Sequence, residues 1–151
     1  MSSSILQSTW VKKTLATDES WGSLALRVPI GIIFAAHGAQ KLFGWFGGHG
    51  LEGTAGWMES IGLAPGMLMA FLAGAGEFFG GVLLILGLLT RPAALVTAFT
   101  MVVAIFVVHF EHGLFLANNG YEFGLALLAA SVALFFYGGG KFSADGALSK
   151  K

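Results

Sequence analysis

Four apolar segments dominate this chain, and each is close to the roughly 20 residues that an α-helix needs to cross a bilayer. They cover residues 21–43, 67–89, 92–110 and 121–137. One such segment could be the buried helix of a soluble protein, but four of them in 151 residues could not form a soluble core. The pattern therefore predicts an all-α integral membrane protein, with a transmembrane four-helix bundle at 21–140 between polar segments at 1–20 and 141–151.

The connections between the segments differ in character. Residues 44–66 form a long Gly-rich loop, in which 54–61 predicts a short helix with Trp57 on its apolar side. Because Trp favours the boundary between membrane and water, we expect this helix to lie at the interface. Residues 90–92 predict a tight hairpin with the proline at the first position of the third helix, and 111–120 form a second polar loop.

The positive charges predict the orientation. They occur near the N-terminus, in the second connection and in the tail, as Lys12, Lys13, Arg27, Arg91, Lys141, Lys150 and Lys151. The loops 44–66 and 111–120 contain no Lys or Arg, and Lys41 at the outer end of the first helix is the exception. The positive-inside rule therefore places both termini in the cytoplasm and both loops outside. We expect Arg27 and Arg91 to anchor the cytoplasmic side, the polar tail to fray, and the first spanning helix to act as an uncleaved membrane address.

Composition agrees with a lipid environment. Hydrophobic residues make up 56% of the chain and charged residues 11%, whereas a soluble domain carries roughly 25% charged residues. The formal net charge of zero argues against nucleic acid as a partner. The sequence contains no cysteine, which excludes disulfides, thiolate catalysis and cysteine-ligated iron–sulfur clusters. The lipid bilayer is therefore the first predicted partner.

Glycines crowd the second segment, where Gly76 and Gly80 form a small-xxx-small pair. Small residues of this kind let membrane helices approach each other closely. The sequence favours packing within one bundle, and homodimerisation through this face is the alternative.

Ionisable side chains inside a bilayer are costly, so each one marks a candidate functional site. His37 lies six residues before the end of the first segment, Lys41 lies one helical turn further out, and Glu77 lies about ten residues into the second segment. These three are the predicted catalytic residues. The predicted ligand-binding residues lie at a similar level, and they are Gln40, Phe78, His109, Asn119 and Glu122. Polar groups thus gather in the outer half of the bundle, and the inner half offers little besides two arginines and a few hydroxyls.

Structural roles compete with these assignments. Glu77 can pair with Lys41 or bond to His37, and either contact would fix the register of the helices. Lys41 can extend to the outer headgroups without another role. His109 and Glu122 lie close enough to the interface for simple solvation.

The histidines also raise the question of a metal or a haem. His109 and His112 are spaced i, i+3, which is half of a metal site, and His37 with His109 would be the pair for a bis-His haem. Two histidines near a carboxylate are common by chance. Neither group is favoured, and no metal ligand is assigned.

A wider pattern surrounds the polar residues. It comprises Arg27, Gly31, Phe34, His37, Gly38 and residues 40–44, then Gly47, Gly48, Gly50, Gly53, Gly62, Leu63 and Pro65, and finally Glu77, Gly80, Gly81, residues 86–88, Thr90, Arg91 and residues 119–122. This pattern, which covers about residues 24–140, resembles the DoxX family. The resemblance implies a multi-pass four-helix protein of the bacterial inner membrane. The family is named for a subunit linked to quinone-dependent thiosulfate oxidation, and other members are tied to quinone or catechol resistance or to oxidoreductase complexes.

The resemblance and the polar cluster together give the leading hypothesis, a membrane component of an oxidoreductase system that handles a quinone or a similar redox-active aromatic in the outer half of the bilayer. His37, Lys41 and Glu77 would bind the head group and move protons. Since the sequence shows no redox centre, electrons would come from a cofactor or from a peripheral or membrane redox partner, which favours a subunit over a self-sufficient enzyme. One alternative is a scaffold or assembly subunit that docks a partner through the Gly-rich outer loop. Another is a small transporter that uses Glu77.

Overall fold

The computed structural model describes residues 8–17 and 19–150. Residues 1–7 and 18 of the predicted polar N-terminal segment lie outside the described residues, as does Lys151. Within the described ranges the chain is helical throughout, with no strand, so the all-α prediction is confirmed there.

Seven α-helices follow one another in the described part of the chain. They are α1 (Thr9–Leu15), α2 (Trp21–Phe43), α3 (Gly50–Ser60), α4 (Gly66–Leu86), α5 (Thr90–Val103), α6 (Glu122–Tyr137) and α7 (Ala144–Ser149). A π-helical turn (Ala104–His109) and a 3₁₀ turn (Phe110–His112) extend α5. Two further 3₁₀ turns lie in the connections, at Trp45–Gly47 and Leu116–Asn118.

Three helices are long and apolar enough to cross a membrane: α2, α4 and the continuous helix Thr90–His112. Their outward faces carry exposed large apolar side chains such as Phe71 and Phe99. The apolar helix α6 has only 16 residues, and at a rise of ~1.5 Å per residue it is about 24 Å long, short of the roughly 30 Å hydrocarbon core. The fourth span, the four-helix bundle and the cytoplasmic placement of both ends therefore stay predictions.

The first spanning helix has the predicted boundaries. At its start the side chain of Ser20 accepts a hydrogen bond from the backbone N–H of Gly22, which satisfies a donor that the helix leaves free. At its end Gly44 adopts the left-handed conformation (φ 72°) that terminates helices. Both signals are local, and both are present in the sequence.

Other boundaries differ from the prediction. The helix α4 ends three residues early because Gly87 (φ 64°) is left-handed, so the hairpin lies at residues 87–89. The helix α5 consequently begins at Thr90 and places Pro92 in its first turn rather than at its first position. The short helix in the outer loop begins at Gly50, four residues before the predicted start.

The helices α2 and α4 pack with their backbones in contact. A Cβ atom on Gly38 would lie 2.3 Å from the backbone nitrogen of Phe78, and one on Gly81 would lie 2.4 Å from that of Ala35. Only glycine fits at these two positions without a shift of backbone. This close seam fixes the height of α2 relative to α4, on which the position of the polar residues depends.

Two arginines bind backbone carbonyl groups at the end of the molecule opposite the loops 44–66 and 111–120, called the inner end below. Arg27 is 1% exposed, and its guanidinium uses all its donors on the carbonyl groups of Leu84, Ile85, Gly139, Lys141 and Phe142. The expectation that Arg27 anchors the cytoplasmic surface is wrong, since no donor is left for headgroups. The partly buried Arg91 donates to the carbonyl groups of Ala16 and Phe135.

The segment after α6 folds back onto the inner end. Asp145 is 1% exposed, and its carboxylate accepts hydrogen bonds from the backbone N–H groups of Leu89 (2.7 Å) and Thr90 (2.9 Å) at the start of α5. Lys150 forms an exposed ion pair with Glu19, and the hydrogen bond from Lys150 lowers the pKa of that carboxyl group. The expectations of a frayed tail and of a featureless inner half are therefore wrong.

Candidate functional site

The half of the molecule that carries the loops 44–66 and 111–120, called the outer half below, contains a cleft of about 910 Å³. Side chains from α2, α3, α4, α5 with its π turn, and α6 line this cleft. Nearly all of them are apolar, and the polar ones are His37, Lys41, Glu77, Thr100, His109 and Asn119. The three predicted catalytic residues and two of the five predicted ligand-binding residues thus share one cavity.

Lys41 and Glu77 form an ion pair inside the cleft. The ammonium nitrogen Nζ of Lys41 lies 2.6 Å from Oε2 of Glu77, and the side chains are 25% and 5% exposed respectively. The other ion pair among the described residues, between Lys150 and Glu19, lies at the exposed inner end. Of the roles open to Glu77 from sequence, pairing with Lys41 is the one observed. A short, charge-assisted hydrogen bond of this kind is strong where water is scarce.

A glycine on α4 brings the two charged residues together. A Cβ atom on Gly74 would lie 2.8 Å from the side chain of Leu42 and 3.2 Å from Cβ of Lys41. The helix α2 therefore passes directly over α4 at Gly74, one turn away from Glu77. Lys41 consequently reaches inward to the carboxylate of Glu77. The alternative role, in which its side chain extends outward to the headgroups, is not the one observed.

His37 lies one turn inward from Lys41 on the same face of α2 and lines the same cleft. Its ring lies 6.1 Å from the ring of Phe123 on α6, centroid to centroid, with the planes tilted by 47°. His37 and Lys41 therefore place two polar side chains, one helical turn apart, on the same wall of the cleft. Both face apolar side chains across the cleft.

His109 reaches the cleft through the π turn. This turn holds one residue more than an α-helical turn, which rotates the positions that follow it, and Ala104, Val108 and His109 all line the cleft. The ring nitrogen Nδ1 of His109 lies 2.8 Å from the backbone oxygen of Asn119. A carbonyl oxygen only accepts, so Nδ1 carries a proton in this contact, and when the ring is neutral Nε2 is an acceptor.

The remaining predicted ligand-binding residues support the walls of the cleft from outside. Gln40 donates to the backbone oxygen of Phe46 (3.2 Å). Phe78 packs edge-on against the rings of its aromatic neighbours Phe43 and Phe79. Glu122 accepts a hydrogen bond of 2.6 Å from the backbone N–H of Leu116 and so holds in place a loop whose residues line the cleft.

Some lining residues were not predicted. Trp57 and Met58 from α3 line the cleft, although the sequence assigned this helix to the membrane interface. Thr100 lines the wall contributed by α5. The apolar side of α3 is visible in the sequence, but its partner surface is not. As for metals, no three His, Asp or Glu side chains in the described ranges are grouped to hold an ion.

The cleft has the size and the character of a site for a small apolar molecule. Ligand cavities commonly measure about 300–1,000 Å³ and combine apolar walls with a few polar groups. Here Lys41 and His37 can donate hydrogen bonds to carbonyl or phenolic oxygens, and Glu77 and Nε2 of His109 can accept them. The fold and the site together define a helical membrane protein with one polar cluster in an apolar, ligand-sized cleft.

The chain belongs to the DoxX family, whose family model matches residues 22–110. It is 38% identical over 113 residues to a Bacillus subtilis protein named putative oxidoreductase CatD. The matched region covers 75% of this chain and 78% of that protein. It is 34% identical to the inner membrane protein YqjF of Escherichia coli, over 88% of this chain and 96% of that protein. An uncharacterised membrane protein of Mycobacterium tuberculosis is 30% identical, over 85% and 82% of the two chains. No solved structure matches the chain.

Proposed function

We propose that this protein is the membrane component of an oxidoreductase system, and that it binds a quinone or a similar redox-active aromatic in the cleft. The observation that carries the proposal is the Lys41–Glu77 ion pair, set with His37 in a cavity whose other walls are almost entirely apolar. A quinone has the matching chemistry, because its flat ring is apolar and its two oxygens accept hydrogen bonds.

The ion pair can receive a ligand without breaking. An ammonium group has three N–H donors, so Lys41 can keep Glu77 and still donate to one quinone oxygen. His37, one turn further in, can donate to the second oxygen or to a bound water. Reduction of a quinone to a quinol takes up two electrons and two protons. We assign the electrons to a redox partner or a bound cofactor, and the protons to the His37 and Lys41 wall of the cleft.

The relatives are consistent with this assignment. The Bacillus subtilis relative carries the name of a putative oxidoreductase, and the Escherichia coli relative is named an inner membrane protein. We extend both properties to this chain as part of the proposal. The bacterial inner membrane would then hold the protein as a multi-pass bundle, with both termini in the cytoplasm and the cleft toward the opposite side.

Trp57 provides the test, because it lines the cleft and quinones quench indole fluorescence on contact. In a variant with Trp10, Trp21 and Trp45 changed to Phe, titration with a benzoquinone should give saturable quenching of Trp57. Adding Glu77→Gln should weaken binding by about tenfold, because Lys41, no longer held in the cleft by the carboxylate, loses its charged hydrogen bond to the quinone. The matched control is Glu52→Gln, on the exposed side of α3, which should leave affinity unchanged. Quenching that never saturates, or an equal effect of both substitutions, would refute the proposal.

A scaffold subunit is the second candidate, and exposed aromatic residues in the outer loop favour it. Trp45 is 55% exposed and Phe46 is 73% exposed, and Phe46 holds a left-handed conformation (φ 54°) that turns its ring outward. Large exposed aromatics of this kind can anchor a partner protein. Under this alternative, Trp45→Ser with Phe46→Ser would abolish co-purification of a stoichiometric partner, and Glu77→Gln would leave that partner bound.

A further inference from the structure

The cleft opens sideways as well as toward the outer loops. Several of its lining residues lie in the spanning helices α4 and α5 and are about half exposed or more. They are Leu72 (54%), Leu95 (58%), Val96 (47%) and Phe99 (68%). Side chains of spanning helices that are exposed at this depth face hydrocarbon rather than water. The cavity is therefore continuous with the interior of the bilayer between α4 and α5.

The contact between α4 and α5 explains where this opening ends. A Cβ atom on Gly80 would lie 2.8 Å from the methyl group of Thr97, and one on Gly76 would lie 3.3 Å from the side chains of Thr100 and Val96. The helices thus touch at the level of the two glycines, and the pair predicted from sequence packs within one chain. Toward the outer side, residues of both helices line the cleft instead of each other.

The neighbouring seam between α2 and α4 is closed by contrast. There Gly38 and Gly81 bring backbone against backbone, which leaves no room for a ligand to pass. The opening between α4 and α5, called the lateral slot below and bordered by Leu72 and Phe99, is therefore a route by which the cleft meets lipid.

The lateral slot offers no free hydrogen-bond donor to a ligand. Thr100 is the polar residue nearest to it, and its hydroxyl already donates to the backbone oxygen of Val96 (3.0 Å). The ionisable side chains of the cleft lie elsewhere along its walls, on α2, at Glu77 of α4 and at the end of the π turn. One end of the cavity thus suits a polar ring, and the slot suits only an apolar chain.

We infer that the ligand of the cleft is a tailed, lipid-soluble molecule, whose ring reaches the Lys41–Glu77 pair and whose long apolar tail leaves through the lateral slot into the bilayer. This inference rests on the proposed function and names its substrate class, a quinone with an isoprenoid or alkyl tail rather than a water-soluble aromatic. Each buried methylene adds affinity, and two of them are worth about a factor of ten.

The absence of cysteine from the chain makes the test direct. Phe99→Cys, made in the variant that keeps only Trp57, places one thiol at the lateral slot, where it can be blocked with a bulky maleimide. Leu125→Cys is the matched control, because Leu125 is an exposed apolar residue of α6 that does not line the cleft. Each protein is titrated with a decyl-tailed benzoquinone and with its tailless counterpart.

Blocking Cys at position 99 should weaken binding of the tailed quinone by at least about tenfold and leave the tailless quinone within about twofold of its original affinity. The tailed quinone alone should also slow the reaction of this thiol with maleimide. Blocking the control thiol should change neither affinity. The inference is overturned if both quinones lose affinity equally, or if the tailed quinone is unaffected and gives no protection. If the unblocked protein binds neither quinone, the proposed function itself fails, which is a distinct result.

Discussion

Lys41 on α2 and Glu77 on α4 are joined by a hydrogen-bonded ion pair of 2.6 Å, in which the carboxylate is almost fully buried and the ammonium group is not. The pair joins the two helices in the outer half, as Arg27 joins α2 and the end of α4 in the inner half. The asymmetry in exposure has an energetic consequence. Lys41 can extend to other partners if it loses Glu77, whereas the buried carboxylate of Glu77 has Lys41 as its one bonded cation among the described residues.

We therefore expect Lys41→Met to be more destabilising than Glu77→Gln. Removing the cation leaves an uncompensated buried charge, which costs about 3–5 kcal/mol. Removing the anion lets the long lysine chain extend toward the interface, at a smaller cost. The free energy of unfolding in mixed micelles, measured by titration with a denaturing detergent, gives both values.

Two further variants complete this comparison. Lys41→Met combined with Glu77→Leu should recover most of the lost stability, since an apolar pair of similar volume often replaces a buried ion pair without loss. Lys150→Met, which breaks the exposed pair with Glu19, should cause no measurable change. If Glu77→Gln proved the more destabilising single substitution, the carboxylate would have a partner besides Lys41.

The glycines of α2 and α4 give a second prediction, on the seam that sets the position of the ion pair. Gly38→Ala places a methyl group 2.3 Å from the backbone nitrogen of Phe78. Backbone cannot rotate away, so the helices must separate, and we expect a loss of about 3 kcal/mol. Thermal unfolding in detergent should show a lowered midpoint.

The control for this prediction is a glycine with space around it. Gly56 lies inside α3, and a Cβ atom there would meet nothing within 4 Å. Gly56→Ala should therefore stabilise the protein by about 0.5–1 kcal/mol, because alanine loses less backbone entropy in a helix. Equal losses from Gly38→Ala and Gly56→Ala would show that helix contact is not the cause.

The sequence predicted the outer cluster because the physical signal is local. Any ionisable residue inside an apolar segment is costly, so His37, Lys41 and Glu77 could be identified without knowing what surrounds them. The extent of the apolar segment likewise predicted the boundaries of α2. The contact that Glu77 makes depends on the close approach of α2 to α4 at Gly74. That approach belongs to the tertiary structure, and no sequence pattern indicates it.

The prediction for the inner half was wrong because the contacts there are also tertiary and join distant parts of the chain. Arg27 and the carbonyl groups of the tail are separated by more than a hundred residues along the chain. Asp145 lies in a polar, glycine-containing tail that looks unstructured by composition, yet it caps the start of α5. The sequence also does not indicate the π turn after Val103, since its residues are as apolar as those of an ordinary helix.

A third prediction concerns this tail. Truncation after residue 142 removes Asp145 and exposes the first N–H groups of α5, which a buried carboxylate satisfies in the intact chain. We expect a loss of at least about 2 kcal/mol and a lower yield of monodisperse protein in size-exclusion chromatography. Truncation after residue 149 removes the exposed Lys150 together with Lys151 and should not change stability. If the tail were frayed, neither truncation would change the stability or the yield.

The fourth prediction uses the π turn, at whose end His109 lines the cleft. Deleting Val107, an exposed residue of this turn, removes the extra residue. The turn should then become α-helical, and His109 should keep its direction toward the cleft.

Binding of a benzoquinone, followed by the fluorescence of Trp57, should therefore be retained in this deletion and should weaken in His109→Ala. The expected loss in His109→Ala is between about twofold and tenfold, the worth of one hydrogen bond. Val107→Ala keeps the π turn and is the control, which should bind as the parent protein does. If the deletion bound quinone as weakly as His109→Ala does, the direction of His109 would depend on more than the number of residues in the turn. If neither variant lost affinity, His109 would support only the loop at Asn119, through the hydrogen bond to its backbone oxygen.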